Sequence, residues 1–338
     1  MHALFVIILL AAFVLPSGDA SGSPPSDISA KDLRTLQTQA ARGNAEAQVK
    51  LGSLYYEGHA VPQDYAKARG WYKKAAAQNN AKAQFNLATL YVLGQGVPQD
   101  YAKARGWYEK AAAQGDTEAQ YILADLHYKG HGVQRDYGQA KLWLEKAAAQ
   151  GHPMAQHNLG FLYHEGHGVP QDFAQATKWY EKSAAQGIAS AQVDLGLIYL
   201  SGRDGVPQDY AKARGWYEKA AAQGDAEGQR MLGHLYIDGH GVPQNYVEAR
   251  QWFEKAAAQG DAKAQNNLGT LYGLGRGVQR NYVRAYMWWS LSVAHSMGED
   301  QKLAAENLDI VARRLTPGEI AEAQRLAQQC QAQQFKGC

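Results

Sequence analysis

Seven tryptophans set a ruler along this chain: Trp71, Trp107, Trp143, Trp179, Trp216, Trp252 and Trp288. They are 36 residues apart at every step except one of 37, where the extra residue falls in the stretch SGRDGVPQ at 201–208. A fixed period of this length marks a solenoid, because one such unit cannot bury its apolar face without a neighbour. Seven units cover residues 44–298. The text inside them recurs as well: GVPQDYAKARGWYEKAAAQGD stands letter for letter at 96–116 and at 205–225.

Each unit reads as two helices. In the first, Ala47, Leu51, Leu54 and Tyr55 recur at helical spacing; in the second, Tyr65, Ala68, Trp71, Tyr72 and Ala75 form one apolar face. Gly58, Gly94, Gly130, Gly166, Gly202, Gly239 and Gly275 stand where a left-handed residue ends the first helix. Asp64, Asp100, Asp136, Asp172, Asp209, Asn245 and Asn281 stand just before the second helix, as N-caps. Gly52, Ala88, Ala124, Gly160, Gly196, Gly233 and Gly269 keep one first-helix position small, so close helix contact is expected there. Trp143 is expected in the core and Leu142 outside it, since the position of Leu142 is Gly, Lys or Gln in other units.

The ends differ from the repeats. Residues 3–15 are uninterruptedly apolar, too short for a span of about 20 residues. Pro16 breaks the run, and Gly18-Asp19-Ala20 offers the small residues of a cleavage site, so residues 1–20 read as a signal peptide. Residues 21–28 then form a disordered spacer and 29–43 an N-terminal capping helix; 299–338 hold C-terminal capping helices and a cysteine tail. Thr316-Pro317-Gly318-Glu319 combines an N-cap, Pro at the first helical position and a capping-box acid. Cys330 and Cys338, the two cysteines of the chain, either close a small loop in an oxidising compartment or remain as two thiols. After cleavage no membrane span is expected. The 34 basic and 32 acidic side chains are mixed along the chain, which argues against a nucleic-acid surface.

The pattern A-x-A-Q-x-x-L-G-x-L-Y-x-x-G-x-G-V-P-Q-D-Y-x-x-A-x-x-W-Y-x-K-A-A-x-Q-G resembles the Sel-one-like repeat family, relatives of tetratricopeptide repeats. The resemblance covers about three quarters of the chain. It implies an all-α fold, a right-handed α/α superhelix of about seven 36-residue helix-turn-helix repeats with terminal capping helices. It also implies an adaptor or scaffold between other proteins. Bacterial relatives are associated with envelope regulation, exopolysaccharide machinery and host interaction. A cysteine-rich secreted branch is associated with β-lactam binding or hydrolysis, but the cysteine pairs of that branch are absent from these repeats.

Chemical motifs are scarce. The strings GQGV, GHGV and GLGRGV lie between helices and none runs on into GKS or GKT, so they read as turns, not phosphate loops. No G-x-S-x-G or H-E-x-x-H occurs. His59, His131, His167 and His240 share a turn position in separate units. Helices about 8–10 Å apart cannot bring such copies to one ion held at about 2 Å, so they read as polar turn residues. No metal, cofactor or catalytic residue is expected.

What varies is one stripe of the first helix: its second, fifth, ninth and twelfth positions. By the resemblance, this stripe lines a concave groove. The candidate groove residues are Phe85, Tyr121, Asp125, Tyr128, His157, Phe161, His164, Leu197, Arg230 and His234. Units three and four carry the densest aromatic stretch, where Tyr121 and Phe161 serve either a partner or packing against neighbouring first helices. The expectation is therefore an exported, non-enzymatic scaffold holding a protein or peptide of the cell envelope in its groove. Two alternatives stay open: a β-lactamase-like or peptidoglycan-acting enzyme, and an envelope polysaccharide-binding module.

Overall fold

The computed structural model describes residues 28–335 and 337–338. Residues 1–27, with the expected signal peptide and nearly all of the spacer, lie outside them. Among the described residues are seventeen helices and one isolated β-bridge, Arg203 to Val206. A single helix, α1 (Ala30–Ala41), comes first. Fourteen helices follow in repeat order: α2 (Ala45–Glu57) paired with α3 (Tyr65–Ala77), α4 (Ala81–Leu93) with α5 (Tyr101–Ala113), α6 (Thr117–Lys129) with α7 (Tyr137–Ala149), then α8 (Pro153–Glu165) and α9 (Phe173–Ala185), α10 (Ala189–Ser201) paired with α11 (Tyr210–Ala222), α12 (Ala226–Asp238) with α13 (Tyr246–Ala257), and α14 (Ala262–Leu274) with α15 (Tyr282–His295). Last come α16 (Gly298–Ala312) and α17 (Pro317–Ala332).

The helices form two compact units divided between Gln171 and Asp172. In the first, α1 to α8 each pack on the next. In the second, α9 to α16 do so, and α17 returns to pack on α15. The fold is an all-α solenoid of helix pairs. Among the described residues, no helix is long and apolar enough to cross a membrane.

Capping explains the boundaries. The side chain of each Asp or Asn before a second helix accepts a backbone N–H, as Asp64 does from Lys67 at 2.9 Å. Six of the expected terminal glycines are left-handed, but Gly202 is not: its ψ of 143° leads into the Arg203–Val206 bridge. The one-residue insertion thus alters the turn it enters. Thr316 and Glu319 form a full capping box at the start of α17.

The small positions mark where helices touch. A Cβ added to Gly52 would come within 2.6 Å of the Tyr72 ring, and one on Gly233 within 2.5 Å of Phe253. The second glycine of each G-x-G string has a different reason. Gly96 has φ +67°, and a Cβ there would lie 2.8 Å from the backbone carbon of Tyr65 in the preceding repeat. Turn and neighbouring helix N-terminus meet at the distance of a bare Cα.

The core corrects one expectation. The tryptophans of the ruler are half-buried, Trp143 included; each inner copy carries a lysine three residues on, with Lys146 Nζ 4.0 Å from the Trp143 ring centre. The fully buried residue is the next one: Tyr72, Tyr108, Leu144, Tyr180, Tyr217 and Phe253. In the last repeat, where α16 and α17 flank α15, Trp288 is buried too. Leu142 is 49% exposed, as expected.

A second core feature was not anticipated. Gln48, Gln84, Gln120, Gln156, Gln192, Gln229 and Gln265 are all buried. Gln48 donates to the carbonyl of Ala40 at the end of α1 and accepts from Gln78 at the end of α3, at 3.0 and 2.9 Å. The same rung recurs as Gln120, bonded to Ala112 and Gln150, and as Gln192, bonded to Ala184 and Gln223. One amide therefore ties three helices, adding a side-chain bond to a helix-end carbonyl that already accepts the N–H of Gly43, Gly115 or Gly187. The ladder stops at Gln265, where the expected second glutamine is His295. Its ring nitrogen Nδ1 turns to the Leu291 carbonyl, and neither amide atom of Gln265 has a hydrogen-bond partner among the described residues.

Candidate interaction surface

The first helices carry the variable stripe, and the structure divides that stripe into two parts. The fifth position is largely closed: Phe85, Tyr121, His157 and Arg230, all expected to face a groove, are buried. So is Phe161 at the ninth. Burial takes all five, His157 included, off the groove, and for four of them the neighbour that covers them is plain. Phe85 meets Tyr108 edge-on, with ring centres 5.4 Å apart. Tyr121 stacks on His152 at 4.7 Å, and its hydroxyl accepts from Asn158 in the next first helix. Burial pushes the Tyr121 hydroxyl up to about 12. Phe161 stands edge-on to His167. Arg230 reaches Glu227 at 2.8 Å and Asp261, the N-cap of α14, at 3.4 Å. At Tyr121 and Arg230 the fifth position thus becomes an interface with the next repeat.

Asp125, Tyr128, His164, Leu197 and His234 stay half-exposed, as do Leu200 and Ile237 at the twelfth position. Asp125 pairs with Lys129 one turn on, at 2.6 Å. Tyr128 shares a hydrogen bond with His167 Nδ1 at 3.1 Å and lies 5.0 Å from the Tyr137 ring. Burial, reinforced by Tyr137 and Glu165, pushes its hydroxyl up to about 12. His234 meets Phe253 edge-on and pairs with Asn267 at 3.1 Å. Burial, and then Arg230, holds its imidazole below the usual histidine range.

The turn histidines do more than cover a turn. His167 and His240 stack on Tyr137 and Tyr210 of the preceding repeat, with ring centres 4.8 and 4.3 Å apart, and His131 lies tilted against Tyr101 at 5.1 Å. Where the turn carries arginine, the guanidinium takes the same place: Arg203 lies over Phe173 and Arg276 over Tyr246. Each is a ring contact that joins one repeat to the next. His152 has another task, since its Nδ1 accepts the N–H of Ala155 and caps α8. That leaves the ring proton on Nε2, which points at Glu118 3.1 Å away. The signal was in the text: the equivalent positions hold Asn44, Asn80, Asp116, Asp225 and Asp261.

Comparison with known families matches the Sel1 repeat to residues 45–80, 81–116, 117–152, 153–188, 189–225, 226–261 and 262–296. The chain belongs to the Sel1 repeat family. Two solved Sel1-type structures are similar to it. One is a Sel1 repeat protein from Oxalobacter formigenes, 31% identical with a TM-score of 0.65, covering 75% of this chain and 98% of its own. The other is c5321 of Escherichia coli, described as a protective antigen present in uropathogenic strains and displaying an SLR fold. It is 32% identical with a TM-score of 0.56, covering 90% of this chain and 73% of its own. No curated protein matches the chain.

The sulfurs of Cys330 and Cys338 lie within bonding distance and form a disulfide, with Cα atoms 5.5 Å apart. The loop it closes sets Phe335 edge-on to His295, at 5.1 Å.

Proposed function

We propose that this Sel1 repeat protein is an exported, non-enzymatic scaffold that binds a protein or peptide along the ninth and twelfth positions of its first helices. One observation carries the reading. Positions that join helix to helix hold nearly the same residue in every repeat, whereas Asp125, Tyr128 and His164 in the first unit, and Leu197, Leu200 and Ile237 in the second, differ from repeat to repeat and stay half-exposed. Text that changes while the packing text does not is free to serve recognition. A half-buried tyrosine such as Tyr128 is the kind of anchor interfaces use. Support for export comes from the apolar run at 3–15 followed by Gly18-Asp19-Ala20, from the disulfide, and from the likeness to an antigen of uropathogenic strains.

A photo-crosslinking residue placed at Tyr128 or Ile237 in the native host should capture one discrete partner. The same residue at Leu142, on the outer side of α7, should not. Equal capture from all three positions, or from Leu142 alone, would overturn the reading. N-terminal sequencing of the host protein should begin near Ser21.

A further inference from the structure

Among the described residues, α1 and α16 each keep one side free of a packed helix. These two sides are unlike each other. The outer side of α1 is polar and cationic. Lys31, Arg34, Thr35, Thr38 and Arg42 line a shallow groove there, while Leu33, Leu36 and Ala40 face inward. The one carboxylate of α1, Asp32, bonds to Ser29 at the helix start.

Helix α16 is the opposite. Its inner side is Ala304, Leu308 and Val311. Leu303 and Ile310, seven residues apart on the outer side, are 51% and 57% exposed. They fall among Glu299, Glu306 and Asp309, also exposed. The helix holds four carboxylates against Lys302, and of these Asp300 already faces Lys263 at 3.3 Å.

We propose that the outer face of α16 docks on the outer face of α1 in a second copy of this chain. Two copies of the α16 face cannot pair with each other without setting like carboxylates together. The α1 face supplies what they lack. Arg34 and Arg42 stand about 12 Å apart along α1 and Glu299 and Glu306 about 10 Å apart along α16, at about 1.5 Å per residue. Arginine and lysine can lay their aliphatic stems over Leu303 and Ile310 while their charged heads reach the flanking acids. The contact is head-to-tail, so it leaves one α1 and one α16 face free and can continue into an open chain of copies.

Sedimentation of the full chain tests this. At low salt its average mass should rise with concentration beyond one chain, and at about 0.5 M salt it should return to one chain as the charges are screened. The pair Lys31→Glu with Arg34→Glu should abolish association, and so should Glu306→Lys with Asp309→Lys. All four together in one chain should restore it. Helical circular dichroism verifies that each variant is folded; if a reversal unfolds the chain, Leu303→Gln with Ile310→Gln replaces it and should also abolish association. A chain that stays single at low salt overturns the proposal. So does association indifferent to the α1 reversal, which is what contact through the apolar run at 3–15 or through α16 pairs would give.

Discussion

Tyr108 and Tyr217 occupy the same register of their repeats, and both rings are wholly buried. Their hydroxyls fare differently. Thr89 donates to the Phe85 carbonyl and so is left to accept from Tyr108, 3.0 Å away. Opposite Tyr217 the register of Thr89 is held by Leu197, and the Tyr217 hydroxyl has no hydrogen-bond partner among the described residues. Tyr108→Phe should therefore cost about 1 kcal/mol in denaturant unfolding, whereas Tyr217→Phe should be neutral or stabilising by up to about 1 kcal/mol. Equal losses would show that the hydroxyls are not what distinguishes the two sites. A titrating residue gives a second test at this scale. Burial depresses the imidazoles of His127 and His234, so the unfolded chain binds protons more readily than the folded one. Their contribution is fully present above the unfolded value of about 6.5 and is lost as pH falls through the lower folded values. The melting temperature should fall between pH 7 and pH 5, and His234→Gln should make that fall shallower. Leu197 and His234 are both residues the sequence marks as variable. The text alone does not say that the ninth position lies against the buried aromatic of the second helix, because that meeting is set by how two helices cross.

Within an element, three consecutive residues of α7 show how far periodicity reaches. Leu142 is exposed, Trp143 is half-buried beneath Lys146, and Leu144 is wholly buried. Leu144→Ala should cost about 2–5 kcal/mol, and Leu142→Ala no more than about 0.5 kcal/mol. Trp143→Ala should fall short of the about 3–5 kcal/mol that a fully buried tryptophan costs. Chemical unfolding of the three variants checks the order. Helix number, hairpin boundaries and caps were legible because capping chemistry is local: an Asp accepts from an N–H three residues on. The exposed side of α7 was legible from Gly, Lys and Gln at the register of Leu142. Which of two adjacent aromatics is the deeper was not, since tryptophan and tyrosine sit about 100° apart on the helix and both count as apolar. The glutamine ladder escaped for a related reason. A recurring polar residue looks like surface until its partners, 8 and 30 residues away, are known.

At the scale of the molecule, each repeat holds its joints within itself and its immediate neighbour: a glutamine rung, a ring stacked on the preceding tyrosine, a glycine against the preceding helix. The candidate surface was half legible. Variation between repeats picked out the stripe, but burial removed Phe85, Tyr121, His157, Phe161 and Arg230 from it, because their exposure depends on the spacing of first helices rather than on residue type. The identity of α5 and α11, residue for residue, has a genetic consequence. A recombination that joined Gln95 to Gly205 would excise 109 residues and leave no scar, since the junction would still read GQGVPQD. In that offspring Thr89 would stand opposite Tyr217 and give its hydroxyl the acceptor it now lacks. Gln223 would meet Gln84 as Gln114 does today. The one untried contact would be α4 beside α12. We expect the shortened protein to fold, with a denaturant slope lower by about a third in keeping with its smaller buried surface; an insoluble product would mean that neighbouring first helices are matched pair by pair. Lineages carrying such a chain can change the number of faces they present in a single event, without first passing through a misfolded ancestor.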